Sequence, residues 1–309
     1  MSFVAWHTVQ AYDSHSYGRR DVSEARPAGA APTVLRRVLG KRLRHLRERA
    51  KVSFEEAAKA IEVTPLTVRR MEKAEVGLKI PYLKELLRNY GVRGPEMENF
   101  LALAREANQP GWWHQFRDVL PDWFSVYVSL ESEATVIRAY EPHYVPGLLQ
   151  TEDYARAVLR MGFPRDTEEE LERRIALRVK RQGLLTKPDA PTIWAILDET
   201  VLHRPVGGSR VMRDQIDHLI DTLDVPKVRL QIMRFAAGPH PGAFGPFHYF
   251  RFGFSELPDV VYTESLTGAV YVDKPAEVVA YLEVLDRMAV QAEPIGDSST
   301  ILAELRKEH

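Results

Sequence analysis

The chain has 309 residues, 45% of them hydrophobic and 28% charged, with a net charge of −1 and no cysteine. That length holds two domains with a sizeable core, and the composition is that of a soluble globular protein. It excludes a disulfide framework and a thiolate metal site; no run of about 18 apolar residues offers a membrane span and no secretory pattern is seen, so a reducing cytoplasm is expected. The near-neutral total hides an asymmetry: residues 34–93 carry 16 Lys and Arg against 7 Asp and Glu, while 94–309 carry 23 against 33. A basic module joined to an acidic one suggests that only the first meets a polyanion.

Residues 1–32 show no sustained periodicity and end in ARPAGAAPT, which reads as a disordered arm. An upstream start codon chosen in error explains it equally well. A helix is expected from Thr33 to Arg49, with Leu35, Leu39, Leu43 and Leu46 at helical spacing. Arg36, Arg37, Lys41, Arg42, Arg44 and Arg47 fill its other faces, as phosphate clamps or as a solvated surface. Ser53 to Lys73 then reads as helix, tight turn, helix. Ser53 and Glu56 have the capping-box spacing. Thr64 caps a second helix over 64–73, with Pro65 in its first turn. Ala58 permits a close crossing, and Ile61, Val63, Val68 and Met71 form the apolar seam.

These residues resemble a helix-turn-helix of the phage-repressor (Xre) type, on Ala58, Val63, Val68, Met71 and Glu72. The resemblance implies that the second helix reads the major groove. Three positions depart from it: Glu62 stands where the turn usually has glycine, Phe54 where glutamine is common, and Ala74 where glycine follows Glu72-Lys73. A non-glycine residue in a left-handed turn costs roughly 1–2 kcal/mol, so a differently drawn turn is expected. Pro65, Leu66, Arg69, Arg70 and Lys73 are left facing outward. Arg70 is the expected bidentate contact to guanine O6 and N7, and Leu66 the expected contact to a thymine methyl. Thr64, Thr67, Arg69 and Lys73 are expected to hold phosphates, and Ser53 and Pro65 complete the DNA-binding set.

Helices are expected from Pro81 to Tyr90, with Gly91 ending it, and from Pro95, where Met97, Phe100, Leu101 and Ala104 form the stripe. Five short helices match the Xre-type domain, placed at 33–108. The cluster Asn108-Gln109-Pro110-Gly111 marks the boundary. The aromatic stretch over 109–130, with Trp112, Trp113, Phe116, Trp123, Phe124 and Tyr127, reads as rings packing the join or as a partner surface, the first being favoured.

From Ser132 the pattern becomes α+β. Strands are expected at 134–142, 192–197, 228–234, 247–252 and 260–264, and helices near 148–162, 168–185, 209–223 and 276–292. The last carries Val279, Leu282, Leu285 and Met288 as its stripe. This domain is placed at 131–292, followed by a tail, 293–309. The overall fold class is thus an all-α five-helix domain followed by an α+β domain.

The second domain resembles the uncharacterised C-terminal domain found behind Xre-type modules in many actinomycete regulators. The resemblance rests on Glu131, Ala134, the run VPGLLQTEDYARA from Val145, Arg178, Arg181 and Gln182, then Glu199, Leu202, Val206, Gly207, Gly245, Phe247 and VVYTES from Val260. It implies a transcriptional regulator, often encoded beside a small partner protein, in arrangements linked to development, secondary metabolism or toxin–antitoxin-like pairs.

No catalytic set stands out. His203, His240 and His248 lack the spacing of a helical metal site. Gly238 to Gly245 lacks the lysine of a phosphate-binding loop, and Ser209 after two glycines reads as a helix cap. Glu131, Glu133 and Glu199 are expected to pair structurally with Arg178 or Arg181. The expected function is a sequence-specific regulator of transcription with no cofactor and no metal. It would bind double-stranded DNA as a homodimer and be controlled through its second domain by a small protein or ligand. The rival readings are an enzyme with a DNA-targeting module and an antitoxin-like interaction module.

Overall fold

The computed structural model describes residues 34–309 apart from 110, 254–257 and 267. The expected arm, 1–32, lies outside the described residues, as does part of the turn expected at 256–259. Five helices open the described chain: α1 (Val34–Arg49), α2 (Phe54–Ala60), α3 (Pro65–Glu72), α4 (Ile80–Asn89) and α5 (Gly94–Ala107). They close round one core in which Leu39, Leu43, Val68, Leu83, Leu86, Leu87, Phe100 and Ala104 are fully buried. The leucine stripe of α1 supplies a continuous wall, because residues three and four apart share a helix face.

The turns are drawn in the left-handed way despite their side chains, contrary to the expectation of a redrawn turn. Lys51, Glu62 and Ala74 have φ of 57°, 54° and 58°. Each follows a helix end closed by a long backbone bond: Val52 N to Arg47 O at 3.1 Å, Val63 N to Ala58 O at 3.0 Å, and Glu75 N to Arg70 O at 2.9 Å. These bonds satisfy carbonyls that the helix leaves orphaned. The core on both sides of each turn outweighs the local strain.

The aromatic stretch folds into a short 3-10 turn, Trp112–Phe116, and α6 (Asp122–Glu133). Trp113, Phe116 and Tyr127 are buried in one cluster with Val34 and Val38 of α1, so this cluster joins the two halves of the described chain. The second half is built on a six-stranded sheet in the order β3-β2-β1-β4-β5-β6. The strands are β1 (Ala134–Glu141), β2 (Thr192–Asp198), β3 (Val228–Met233), β4 (Phe247–Phe252), β5 (Val260–Ser265) and β6 (Gly268–Val272). Strands β1, β2 and β3 run parallel; β4 joins β1 antiparallel, and β5 and β6 continue as an antiparallel meander.

The crossover between β1 and β2 carries α7 (Glu152–Gly162) and α8 (Glu168–Gln182). Thr151 caps α7, and Thr167 with Glu170 makes a capping box on α8. The short α9 (Thr200–His203) and α10 (Ser209–Thr222) lead to β3. Strand alternation divides the sheet between two layers. On one face Tyr140, Ile196, Tyr249 and Val261 pack on Val278, Leu285 and Met288 of α11 (Pro275–Gln291). On the other, Ala195, Leu197, Leu230 and Ile232 meet Met212, Ile216 and Leu219 of α10. Val279, expected in the α11 stripe, is instead exposed, because Val278 takes the inward position. The stretch expected as a tail carries α12 (Ser298–Leu305), with Ile301, Leu302 and Leu305 in the α10 layer and Ser298 Oγ donating to Leu230 O at 2.7 Å. The architecture is the expected all-α domain followed by an α+β domain. Among the described residues no helix is long and apolar enough to cross a membrane.

Candidate nucleic-acid interface

The helix pair α2–α3 is set by its caps. Ser53 Oγ accepts from Glu56 N at 3.1 Å, and Ser53 N donates to Glu56 Oε2 at 2.8 Å. These bonds from the Ser53 backbone and hydroxyl hold the Glu56 carboxyl below the ordinary carboxylate range. Thr64 Oγ1 accepts from Thr67 N at 3.3 Å and lies 3.1 Å from Thr67 Oγ1. Pro65 then starts α3 where no N–H is missed. Val68 and Met71 are buried against Ala58 and Ile61, which fixes the rotation of α3 about its axis.

That rotation turns Pro65, Leu66, Arg69, Arg70 and Lys73 to the surface. Leu66 is 61% exposed. Thr64 is exposed and Thr67 half-buried, both tied into the cap. Ser53 Oγ also donates to Glu56 Oε2, so its hydroxyl is spent on the capping box. Arg70 pairs loosely with Glu75, 3.6 Å away, with both side chains about half exposed. Exposed pairs of this kind are worth about 0–1 kcal/mol and exchange readily for another partner.

The far end of α3 is held by residues that local pattern does not announce. Arg47 reaches from α1 to Glu72 with Nε to Oε1 at 2.6 Å and Nη2 to Oε2 at 3.0 Å, and Nη1 donates to Val52 O at 3.1 Å. The bond to Glu72 pushes the Arg47 pKa up. Phe54 takes this guanidinium on its ring at 4.0 Å and that of Arg69 at 5.0 Å, which accounts for an aromatic where glutamine is common. Gly40 lets α1 approach α3: a Cβ there would sit 2.6 Å from Glu72 O. The spacing of Gly40 in a charged helix gave no signal of this.

The arginines of α1 have divided fates. Arg47 is buried on Glu72, Arg44 pairs with Glu48 at 2.8 Å, and Arg42 lies 3.8 Å from Glu96. Arg36 donates to Ala107 O at 3.3 Å. Arg37 and Lys41 line a cleft of about 810 Å³ with Arg69 and Lys73.

In the second domain several buried polar groups bind one another. Glu131 accepts two bonds from Arg181, both 2.7 Å, in a buried pair. Arg178 turns to Gln150 Oε1 at 2.6 Å, and burial lowers its pKa to about 10. Gln182 donates to Gly147 O and Gln150 O, so the PGLLQ run is held by side chains of α8. Glu199 accepts from Phe235 N at 2.6 Å and pairs with Arg234 at 3.1 Å and His203 at 3.3 Å, not with Arg178 or Arg181. His248 lies 2.6 Å from Glu141 and 3.0 Å from Tyr127 Oη, while His240 lies 3.5 Å from Asp198. The three histidines are thus on separate partners, and among the described residues no three His, Asp or Glu side chains converge as metal ligands.

Residues 38–100 match a family model described as a helix-turn-helix domain. Residues 124–304, more than half of the chain, match the model described as Domain of unknown function (DUF5753). No curated protein and no solved structure matches the chain.

Proposed function

From a chain that belongs to the DUF5753 family and carries a helix-turn-helix domain ahead of it, we propose a sequence-specific DNA-binding regulator of transcription. The observation that carries the reading is the outward face of α3, where Leu66, Arg69, Arg70 and Lys73 are exposed on a helix fixed from behind by Val68, Met71 and Glu72. A rigid, cationic, solvent-facing helix of this kind fits a major groove. Arg70 reads guanine once it leaves Glu75, and Leu66 presses on a thymine methyl. Thr64, Thr67, Arg69 and Lys73 hold phosphates with the N-terminus of α3, flanked by Pro65 and by the Ser53 end of α2. Two such helices in a homodimer would demand a pseudo-palindromic site.

The acidic second domain stays off DNA and acts as the controlling part, through a small protein or a ligand. The reading as a regulator rather than an enzyme is supported by Glu131, Glu199, His203 and His248 each being engaged by a structural partner. The test is a shift assay on a site selected from random duplexes. Arg70→Ala should flatten the preference between selected and random sequence. Lys73→Ala should weaken both alike and lower the salt slope by about one. Equal losses for cognate and random DNA in both variants would refute this division of roles.

A further inference from the structure

The cleft of about 810 Å³ has one wall in the helical domain, formed by α1 and the end of α3, and the other in the second domain. Its charges do not cancel. Three of its carboxylates are matched: Glu72 by Arg47, Glu48 by Arg44 and Glu75 by Arg70. Arg37, Lys41, Arg69 and Lys73 remain, and none of them makes an ion pair within 4.0 Å among the described residues. One further acid of the lining, Asp273, opposes them from the second domain. Burial lowers the pKa of both Arg37 and Lys41, and Asp273 offsets this only in part. Four cations facing one carboxylate, two of them partly desolvated, favour an anion in the space they share. The remaining wall is apolar, with Phe54, Leu130, Pro258 and Val260.

We propose that this cleft binds a small phosphate-bearing molecule, its phosphate or pyrophosphate held by Arg37, Lys41, Arg69 and Lys73 and its apolar or planar body laid against the wall lined by Leu130, Pro258 and Val260. The volume is that of a small-molecule site. A continuous duplex fits it less well, because the far wall belongs to the acidic half and presents Asp273. The consequence for regulation rests on the proposed function: Arg69 and Lys73 serve both the ligand and the duplex, so each binding weakens the other by the same factor.

The test uses the full chain and two probes, inorganic pyrophosphate and ATP, without magnesium and at constant ionic strength. Calorimetry should show saturable binding of one probe per chain, ATP being the tighter. Arg37→Gln with Lys41→Gln should weaken it by about tenfold or more, as expected for lost charge-assisted bonds. Asp273→Asn should tighten it, a gain that misfolding does not produce. No saturable binding of either probe overturns the proposal, as does binding that the double variant leaves unchanged. If the double variant lowers the salt slope of duplex binding by about two and pyrophosphate does not bind, the cleft holds DNA backbone and the proposal fails. None of these titrations of probe alone requires DNA, so they stand apart from the Arg70 and Lys73 assay.

Discussion

Glu72→Gln removes the charge from one end of a pair that is almost wholly out of water, with Arg47 and Glu72 side chains 9% and 3% exposed. The guanidinium would keep Val52 O and the Phe54 ring but lose both charged oxygens. Breaking a buried pair at one partner costs about 3–5 kcal/mol, because the other charge stays buried and unmatched. The ring contact, about 0.5–2 kcal/mol, survives and places the expected loss near the lower end of that range. Arg47→Met combined with Glu72→Met removes both charges and should return to within about 1 kcal/mol of the parent. Urea denaturation followed by far-UV circular dichroism reads the global change, and hydrogen exchange at α1 and α3 amides localises it. Because the pair also pins the end of α3, Glu72→Gln should lower affinity for all duplexes alike. A single-variant cost below about 1 kcal/mol, or a double variant as damaged as the single, would refute the reasoning.

Gly40→Ala puts a methyl 2.6 Å from the Glu72 carbonyl, so α3 must shift; a loss of about 1–3 kcal/mol is expected, and an unchanged melting temperature would show that the helices yield freely. Glu62→Gly relieves a left-handed residue at an exposed turn and should stabilise by about 1 kcal/mol, after allowing for the extra freedom of glycine in the unfolded chain; destabilisation would mean that Glu62 makes a contact of its own. Burial lowers the His218 pKa beneath that of the unfolded chain, so the unfolded state takes up the proton first as pH falls. The stability held by neutral His218 is complete above about pH 6.5 and declines below it. His218→Gln should therefore flatten the change in urea midpoint between about pH 7 and 5, and an unaltered slope would count against the assignment.

What could be read from the chain was local. Ser53 with Glu56, Thr64 with Pro65, and the Val68 and Met71 pair act within one turn of helix, and the structure keeps them. The residues that hold α3 from behind act across the fold: Arg47 and Glu72 are distant in sequence, and Phe54 looked like a mere departure until two guanidinium groups were placed on its ring. Sheet order depended on crossovers that periodicity does not encode. Helix α6 escaped because it is covered on more than one side: Tyr127, Val128 and Leu130 are all buried, so no polar face marks its period. Strand β6 escaped for the opposite reason, as an edge strand whose residues are only partly buried. Helix α12 is short, eight residues within the stretch expected as a tail.

Helix α1 explains how the two halves can act on each other. Its Leu35, Leu39, Leu43 and Leu46 belong to the helix-turn-helix core. Its Val34 and Val38 belong instead to the cluster of Trp113, Phe116, Tyr127 and Phe250, and Val34 N donates to Ser129 Oγ of α6 at 2.9 Å. Gly40 and Arg47 meet α3, while Arg37 and Lys41 line the cleft. One sixteen-residue rod thus has a side in each core and a side on α3. A packed interior transmits displacement rather than absorbing it, since its side chains have few voids to move into. A shift of α6 or of the β5 end of the sheet would therefore press on α1, and α3 rests on α1 through the Gly40 contact. If the proposed function and the proposed ligand site both hold, filling the cleft and filling the major groove would be two loads on the same arm.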